Sequence, residues 1–231
     1  MNDLHALTNR LAERIRSAYD SGVPCEPIRD QLPEDDIDAA YAVQEANTCH
    51  WLAQGRRLVG RKIGLTAHTV QAQLGVDQPD FGMLFADMAV PDGEEIPAGA
   101  VLQPRIEGEV AFVLERDLDH EQPTIADIAR AVGYTTAAIE VVGSRIAGWN
   151  INIQDTISDN ASSGLFVLGN EHHSLDNFDS RLCGMVVEHR GEPVSTGAGA
   201  ACLGNPLTAM SWLARTLVQR GRALRAGDIV M

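Results

Sequence analysis

Glu107 and Glu109 stand one residue apart in the run Gln103-Pro-Arg-Ile-Glu-Gly-Glu-Val-Ala-Phe-Val-Leu114, and that spacing is the first sign of chemistry in this chain. The apolar residues that follow predict a buried strand, in which alternate side chains share a face, so the two carboxylates project together. Adjacent anions at the edge of an apolar strand repel each other and resist desolvation; a bound cation, paired arginines or a shared proton relieves them. Glu140, within Ala137-Ala-Ile-Glu-Val-Val142, is a third carboxylate in a similar β-branched setting. If the two strands are neighbours, three carboxylates converge. An all-oxygen set with no cysteine and no obvious histidine partner suits a hard divalent ion, Mg2+ or Mn2+, rather than zinc or copper. The competing reading is a solvated strand face, with Glu107 and Glu109 paired to Arg105 or Arg145.

Other stretches also carry chemistry-bearing groups. Lys62 lies inside the apolar run Gly60-Arg-Lys-Ile-Gly-Leu-Thr66, where a lysine either snorkels to solvent or serves a site. Asp77 and Asp80 occupy Gly75-Val-Asp-Gln-Pro-Asp-Phe-Gly82, which reads as a loop in which they either cap turns or act chemically. Asp155-Thr-Ile-Ser-Asp-Asn-Ala-Ser-Ser-Gly164 is dense in small polar groups, and Gly143-Ser-Arg145 follows the third glutamate directly. Gly197-Ala-Gly-Ala-Ala-Cys-Leu-Gly204 precedes a helix, but its Gly-x-Gly-x-x-Cys spacing and the polar residues before it read as a tight turn and not as a dinucleotide loop.

Holding such groups in place takes a core, and 231 residues with 45% hydrophobic content can form one. The expectation is a single α+β domain over 1–231, with a helical segment at 1–58 and a β-rich region at 59–231. Leu4, Leu7, Leu11 and Ile15 recur at helical spacing across residues 3–19. A second helix is expected after Pro33, capped by Asp35 or Asp36, burying Ile37, Tyr41 and Val43 and stopping at Gly55. From Leu58 the texture changes to short β-type runs at 58–65, 101–114, 137–142, 165–168 and 185–188. Asn205-Pro206 opens a last helix that carries Leu207, Met210, Leu213 and Leu217 to Gly221. The net charge of -14 opposes a nucleic-acid or anionic-membrane partner. No apolar run is long enough to span a bilayer, and the N-terminus lacks the parts of a signal peptide, so a cytoplasmic location is expected. Cys25, Cys49, Cys183 and Cys202 are far apart and read as free thiols.

Taken in order, Gly60-Arg-Lys-Ile-Gly-Leu-Thr66, Gly75-Val-Asp-Gln-Pro-Asp-Phe-Gly82, Gln103-Pro-Arg-Ile-Glu-Gly-Glu109, Glu140-Val-Val-Gly-Ser-Arg145 and Asp159-Asn-Ala-Ser-Ser-Gly164 closely resemble the 2-keto-4-pentenoate (2-hydroxypenta-2,4-dienoate) hydratases of the fumarylacetoacetate hydrolase superfamily. The resemblance runs from the first helix to the last residue. It implies a β-rich sandwich or roll with N-terminal and peripheral helices, a homo-oligomer, and a place in the catabolism of aromatic compounds. It further implies that Glu107, Glu109 and Glu140 bind Mg2+ or Mn2+ and that Lys62, Asp80 and Ser162 line the pocket of a small 2-keto or 2-hydroxydienoic acid; the chemistry of these three side chains suits Lys62 to balance negative charge or donate a proton, Asp80 to shuttle protons or orient water, and Ser162 to hydrogen-bond the substrate carboxylate. The implied reaction is tautomerisation to an unsaturated ketone followed by addition of water, giving 4-hydroxy-2-ketopentanoate. Gln78-Pro-Asp-Phe-Gly82 favours this over CO2 release by a 4-oxalocrotonate-type decarboxylase of the same superfamily. Members usually continue past the equivalent of Ala226-Gly-Asp-Ile-Val-Met231 into a glycine-rich turn and further strands. A truncated sequence is therefore one expectation; were the chain whole, catalysis would be in doubt, and a non-catalytic partner subunit is the other reading.

Overall fold

A computed structural model describes residues 2–231. Helices α1 (Asn2–Ser21) and α2 (Ile37–Ala53) occupy the first quarter, as the helical spacing predicts. The chain then runs through β1 (Leu58–Gly64), α3 (His68–Leu74), β2 (Asp80–Phe85), β3 (Ala89–Val90), β4 (Arg105–Leu114), α4 (Ile125–Ala131) and β5 (Val132–Val142). It finishes with α5 (Ile153–Ser158), β6 (Leu165–Leu168), β7 (Gly184–His189), β8 (Glu192–Ala198), α6 (Pro206–Gln219) and β9 (Ile229–Val230).

Local chemistry accounts for the helix starts. Asp36 caps α2 by accepting the Ala39 N–H, and Asn205 caps α6 by accepting the Leu207 N–H with Pro206 in the first turn. α1 turns Leu11, Ala12 and Ile15 fully inward and leaves Leu4 outside. α2 is buried on most sides, because α1 packs on one flank and α5 on another. One hydrophobic cluster links Leu11 of α1 through Phe81 and Met83 of β2 and Phe112 of β4 to Leu213 of α6.

Seven strands form a mixed sheet in the order β2-β1-β9-β4-β5-β6-β3, and β7 and β8 make a separate hairpin. The long antiparallel pair β4–β5 is its centre, in register from Arg105 opposite Val142 to Val113 opposite Tyr134, with a shift of one residue before Leu114 meets Val132. β1 pairs antiparallel with β2 on one side and parallel with β9 on the other.

Several elements differ from expectation. Asp80 to Phe85, placed partly in a loop by the sequence reading, is a strand with every residue buried. A strand covered on both faces shows no alternation, so periodicity misses it. The strand expected over 101–114 begins only at Arg105, because Gln103 takes a positive φ of 51° and turns the chain. α3, α4 and α5 have seven, seven and six residues, too few for a helical period to emerge. The polar stretch before Gly197 is a strand as well, β8, but a wholly exposed one.

β2 ends the sheet, yet its outward backbone groups are occupied. Gln44 Nε2 donates to Phe81 O at 2.8 Å, while the Asn160 side chain donates to Met83 O at 2.9 Å and accepts from Met83 N at 2.7 Å. These bonds draw residues 160–162 so close that a β-carbon at Gly82 would fall on the carbonyl oxygen of Asn160. Gly82→Ala is therefore expected to destabilise the protein by about 1–3 kcal/mol, as overpacking does, seen as a lower urea midpoint with an unchanged slope. An alanine variant as stable as the wild type would show that this turn yields freely.

Candidate active site

Strand register brings the three glutamates together. Glu107 pairs with Glu140 across β4 and β5, and Glu109 follows two residues on along the same face. One oxygen from each carboxylate lies within 4.8 Å of the others. Glu140 is buried, Glu109 partly buried and Glu107 exposed, so the cluster runs from the interior to the surface. Burial, reinforced by the charges of Glu140 and Glu107, pushes Glu109 up to about 8. Burial likewise pushes Glu140 up to about 7 against the pull of Lys62. Glu140 Oε1 is buried without a hydrogen-bond partner. A hard divalent cation answers both features, since it supplies positive charge and takes oxygen ligands, and this donor set fits Mg2+ or Mn2+.

Lys62 is 5% exposed, so it is no snorkelling surface lysine. Its Nζ lies 3.3 Å from Glu140 Oε2 and donates to Ala161 O at 3.0 Å. β9 and β4 separate β1 from β5 in the sheet order, so only a curled sheet lets this side chain reach across. Burial by itself would lower the Lys62 pKa; the carboxylates of Glu140, Glu107, Asp80 and Glu109 outweigh it and hold the group above the ordinary lysine value.

Asp80 opens β2 directly opposite Gly64 of β1. A β-carbon at Gly64 would collide with the Asp80 carboxylate, so the glycine makes the space in which Asp80 lies beside Lys62. Burial raises the Asp80 pKa above its ordinary value although Lys62 draws it down. Thr156 Oγ1 donates to Asp80 Oδ2 at 3.4 Å and lies 3.1 Å from Ser162 Oγ, which joins Ser162 to the group. Asp77 stays exposed on the preceding turn.

The turn that carries Ser162 is held under strain. Asn160, Ala161 and Ser162 have φ of 56°, 51° and 55°, a left-handed run that persists only where its surroundings enforce it. Asn160 is tied to Met83, Ala161 O receives Lys62, and Ser162 O accepts the Gly143 N–H at 2.8 Å. Arg145, considered above as a partner for the glutamates, is 1% exposed and clamps the start of this turn instead. Its backbone N–H and Nε donate to Asp159 at 2.8 and 2.5 Å, and Nη1 donates to Ser163 O at 3.0 Å. Arg105, the other candidate, stacks its guanidinium on Trp149 at 4.1 Å. Among the described residues neither arginine pairs with Glu107 or Glu109, which favours a cation as their partner. Thr156 escapes a reading of the sequence because α5 is so short; the signal that reveals its helix is Asn152-x-x-Asp155, a reciprocal cap.

The fumarylacetoacetate (FAA) hydrolase C-terminal family matches residues 56–231. A TodF product hydratase from Pseudomonas putida is 59% identical over 222 residues, covering 96% of this chain and 83% of that protein. A 2-keto-4-pentenoate hydratase from Dechloromonas aromatica is 57% identical over 95% of this chain and 84% of its own length. Among solved structures, 4-oxalocrotonate decarboxylase from Pseudomonas putida, complexed with magnesium and adipate, matches with a TM-score of 0.92 at 34% identity, covering 97% of this chain and 85% of that one. With similarity of this extent over nearly its whole length, the chain belongs to the fumarylacetoacetate hydrolase superfamily and, within it, to the 2-keto-4-pentenoate hydratases.

Proposed function

We propose that this chain adds water to 2-hydroxypenta-2,4-dienoate, by way of its 2-keto tautomer, to give 4-hydroxy-2-ketopentanoate, and that Glu107, Glu109 and Glu140 hold the divalent cation the reaction needs. The observation that carries this reading is the convergence of three carboxylates, a buried ammonium and a buried aspartate in a chain 59% identical to a hydratase. The cation, Mg2+ or Mn2+, supplies Lewis acidity to the oxygens of a chelating 2-hydroxy or 2-keto acid. Mg2+ is the ion we favour, as magnesium accompanies the decarboxylase of the same fold.

The chain's own groups then divide the work. Lys62, held protonated by its carboxylate neighbours, acts as a fixed positive charge and proton donor, and its raised pKa disqualifies it as a base. Asp80, whose proton affinity is raised by burial, takes the proton of the attacking water. Ser162 donates its hydroxyl to the substrate carboxylate. Lys62, Asp80 and Ser162 are all nearly inaccessible to solvent, so bulk water cannot compete for these protons. We place the enzyme in aromatic-compound catabolism, as a homo-oligomer of the cytoplasm, on its family resemblance. No helix among the described residues is long and apolar enough to cross a membrane.

A decarboxylase reading draws on the TM-score of 0.92, but identity of 34% to that enzyme against 59% and 57% to hydratases favours water addition. Purified protein given 2-hydroxypenta-2,4-dienoate and 4-oxalocrotonate, each with Mg2+ and with chelator, decides between them. CO2 release without hydration would overturn the proposal, and no turnover at all would favour a partner subunit. Within the hydratase reading, Asp80→Asn is expected to slow hydration about 100-fold and to leave Mg2+ affinity nearly unchanged, because it keeps the shape but removes the proton acceptor. Hydration at the wild-type rate in this variant would remove Asp80 from the mechanism.

A further inference from the structure

Thr156 stands between two members of the proposed site. Its Oγ1 is 3.4 Å from Asp80 Oδ2 and 3.1 Å from Ser162 Oγ, and the three residues are 7%, 2% and 6% exposed. Among the described residues neither hydroxyl has any other hydrogen-bond partner. A hydroxyl carries one proton and two lone pairs, so a row of carboxyl, hydroxyl and hydroxyl can pass protons along itself by donating at one end and accepting at the other. The scaffold builds this row at a cost. The left-handed run of Asn160 to Ser162 is unfavourable for non-glycine residues, and its effect is to fold Ser162 back onto a side chain six positions earlier.

We infer that Asp80, Thr156 and Ser162 form an internal proton conduit, with Thr156 as the relay between the carboxylate that deprotonates water and the hydroxyl that holds the substrate. The inference rests on the hydratase reading. Water adds to C4, and its proton passes to Asp80. Once Asp80 is protonated, the Thr156 hydroxyl, which donates to Asp80 at rest, turns toward Ser162, and the Ser162 hydroxyl turns from the substrate carboxylate toward C3; Asp80 Oδ2 then gives a proton to Thr156 Oγ1, Thr156 gives its own to Ser162 Oγ, and Ser162 gives its own to C3 of the enolate, whose electron pair forms the new C–H bond. Asp80 returns to carboxylate, both hydroxyls are regenerated, and the proton lost by water has reached C3 without entering bulk solvent. At 3.4 Å the Asp80–Thr156 contact is about 0.6–0.7 Å longer than a usual O–H···O hydrogen bond, so the conduit requires this contact to tighten when substrate fills the site. Thr156 is on this account a positioning and relay residue, and it acts only through its two neighbours.

Thr156→Val keeps the size and deletes the hydroxyl, whereas Thr156→Ser keeps the hydroxyl and deletes the methyl. Valine is expected to lower kcat for hydration about 10- to 100-fold with little change in KM or melting temperature, and serine to recover most of that loss. In a Ser162→Ala background the conduit is already cut, so valine should lower kcat by no more than about threefold further. Three results would overturn the conduit: valine at the wild-type kcat, serine as slow as valine, or the full valine loss repeated in the Ser162→Ala background. Thr156→Ala serves the same comparisons if the valine chain does not fold. Deuterium exchange from solvent into C3 of 2-oxopentanoate needs proton transfer but no water addition, and it separates the two layers of the argument. A wild type that exchanges without hydrating overturns the hydratase reading, and the relay is then judged by the same ratios on exchange; a wild type that does neither overturns both.

Discussion

Glu107→Gln is expected to lower Mg2+-dependent hydration by about three orders of magnitude, on the several kcal/mol that a cation contributes by stabilising charge on reacting oxygens. Mg2+ affinity by calorimetric titration should fall at least about tenfold, because an amide oxygen is a weaker ligand for a hard cation and one negative charge is gone. Glu107 is exposed, so the core is untouched. The metal-free variant should melt no lower than the wild type, since Glu107 is one of the anions that raise Glu109 and Glu140. Wild-type affinity and turnover in this variant, or full activity of the wild type in excess chelator, would sink the ligand assignment. The crowding also has a pH signature. Glu109 at about 8 and Glu140 at about 7 lie above the ordinary 4.5, so the folded chain holds more protons than the unfolded one between those limits. Stability of the metal-free protein is therefore fullest below that window and is lost as pH rises through it. Saturating Mg2+ displaces the protons and should flatten the fall, which melting curves at about pH 5 and about pH 8, with Mg2+ and with chelator, would reveal.

Lys62→Met should separate metal binding from turnover. Hydration is expected to drop about 100-fold or more, while Mg2+ affinity rises, because the substitution deletes a positive charge 3.3 Å from the carboxylate of Glu140, one of the three proposed ligands. Loss of the ion cannot produce that pair of opposite changes. The metal-free protein should also lose stability, as Glu140 is left without its ion-pair partner and Ala161 O without its donor. Removing one partner of a buried pair costs about 3–5 kcal/mol, an upper bound here because Glu140 protonates readily. Mg2+ should restore part of the loss. A methionine variant with normal turnover and only a lower melting temperature would make Lys62 a packing residue.

Much of the site was legible in residue type and short-range spacing. Alternation along β4 puts Glu107 and Glu109 on one face, and the caps at Asp36 and at Asn205-Pro206 start helices, because each feature depends only on residues within a turn or two. Whether Glu140 faces Glu107 was beyond such reasoning: the full β4–β5 pairing sets the register, and a slip of one residue would turn Glu140 to the other face. Asp80 looked like a turn residue because a doubly buried strand has no period, and β2 exists because β1 pairs with one edge while Gln44 and Asn160 satisfy the other. Lys62 stayed open between surface and site, since the curl of the sheet decides whether a long side chain ends in water or beside Glu140. Arg145 lies five residues past Glu140 yet serves Asp159, a partner that only the packed loop after α5 presents. The contact of Thr156 with Ser162 is the furthest from local prediction: it requires three residues in a left-handed conformation that their own propensities disfavour and that bonds from Met83, Lys62 and Gly143 hold in place.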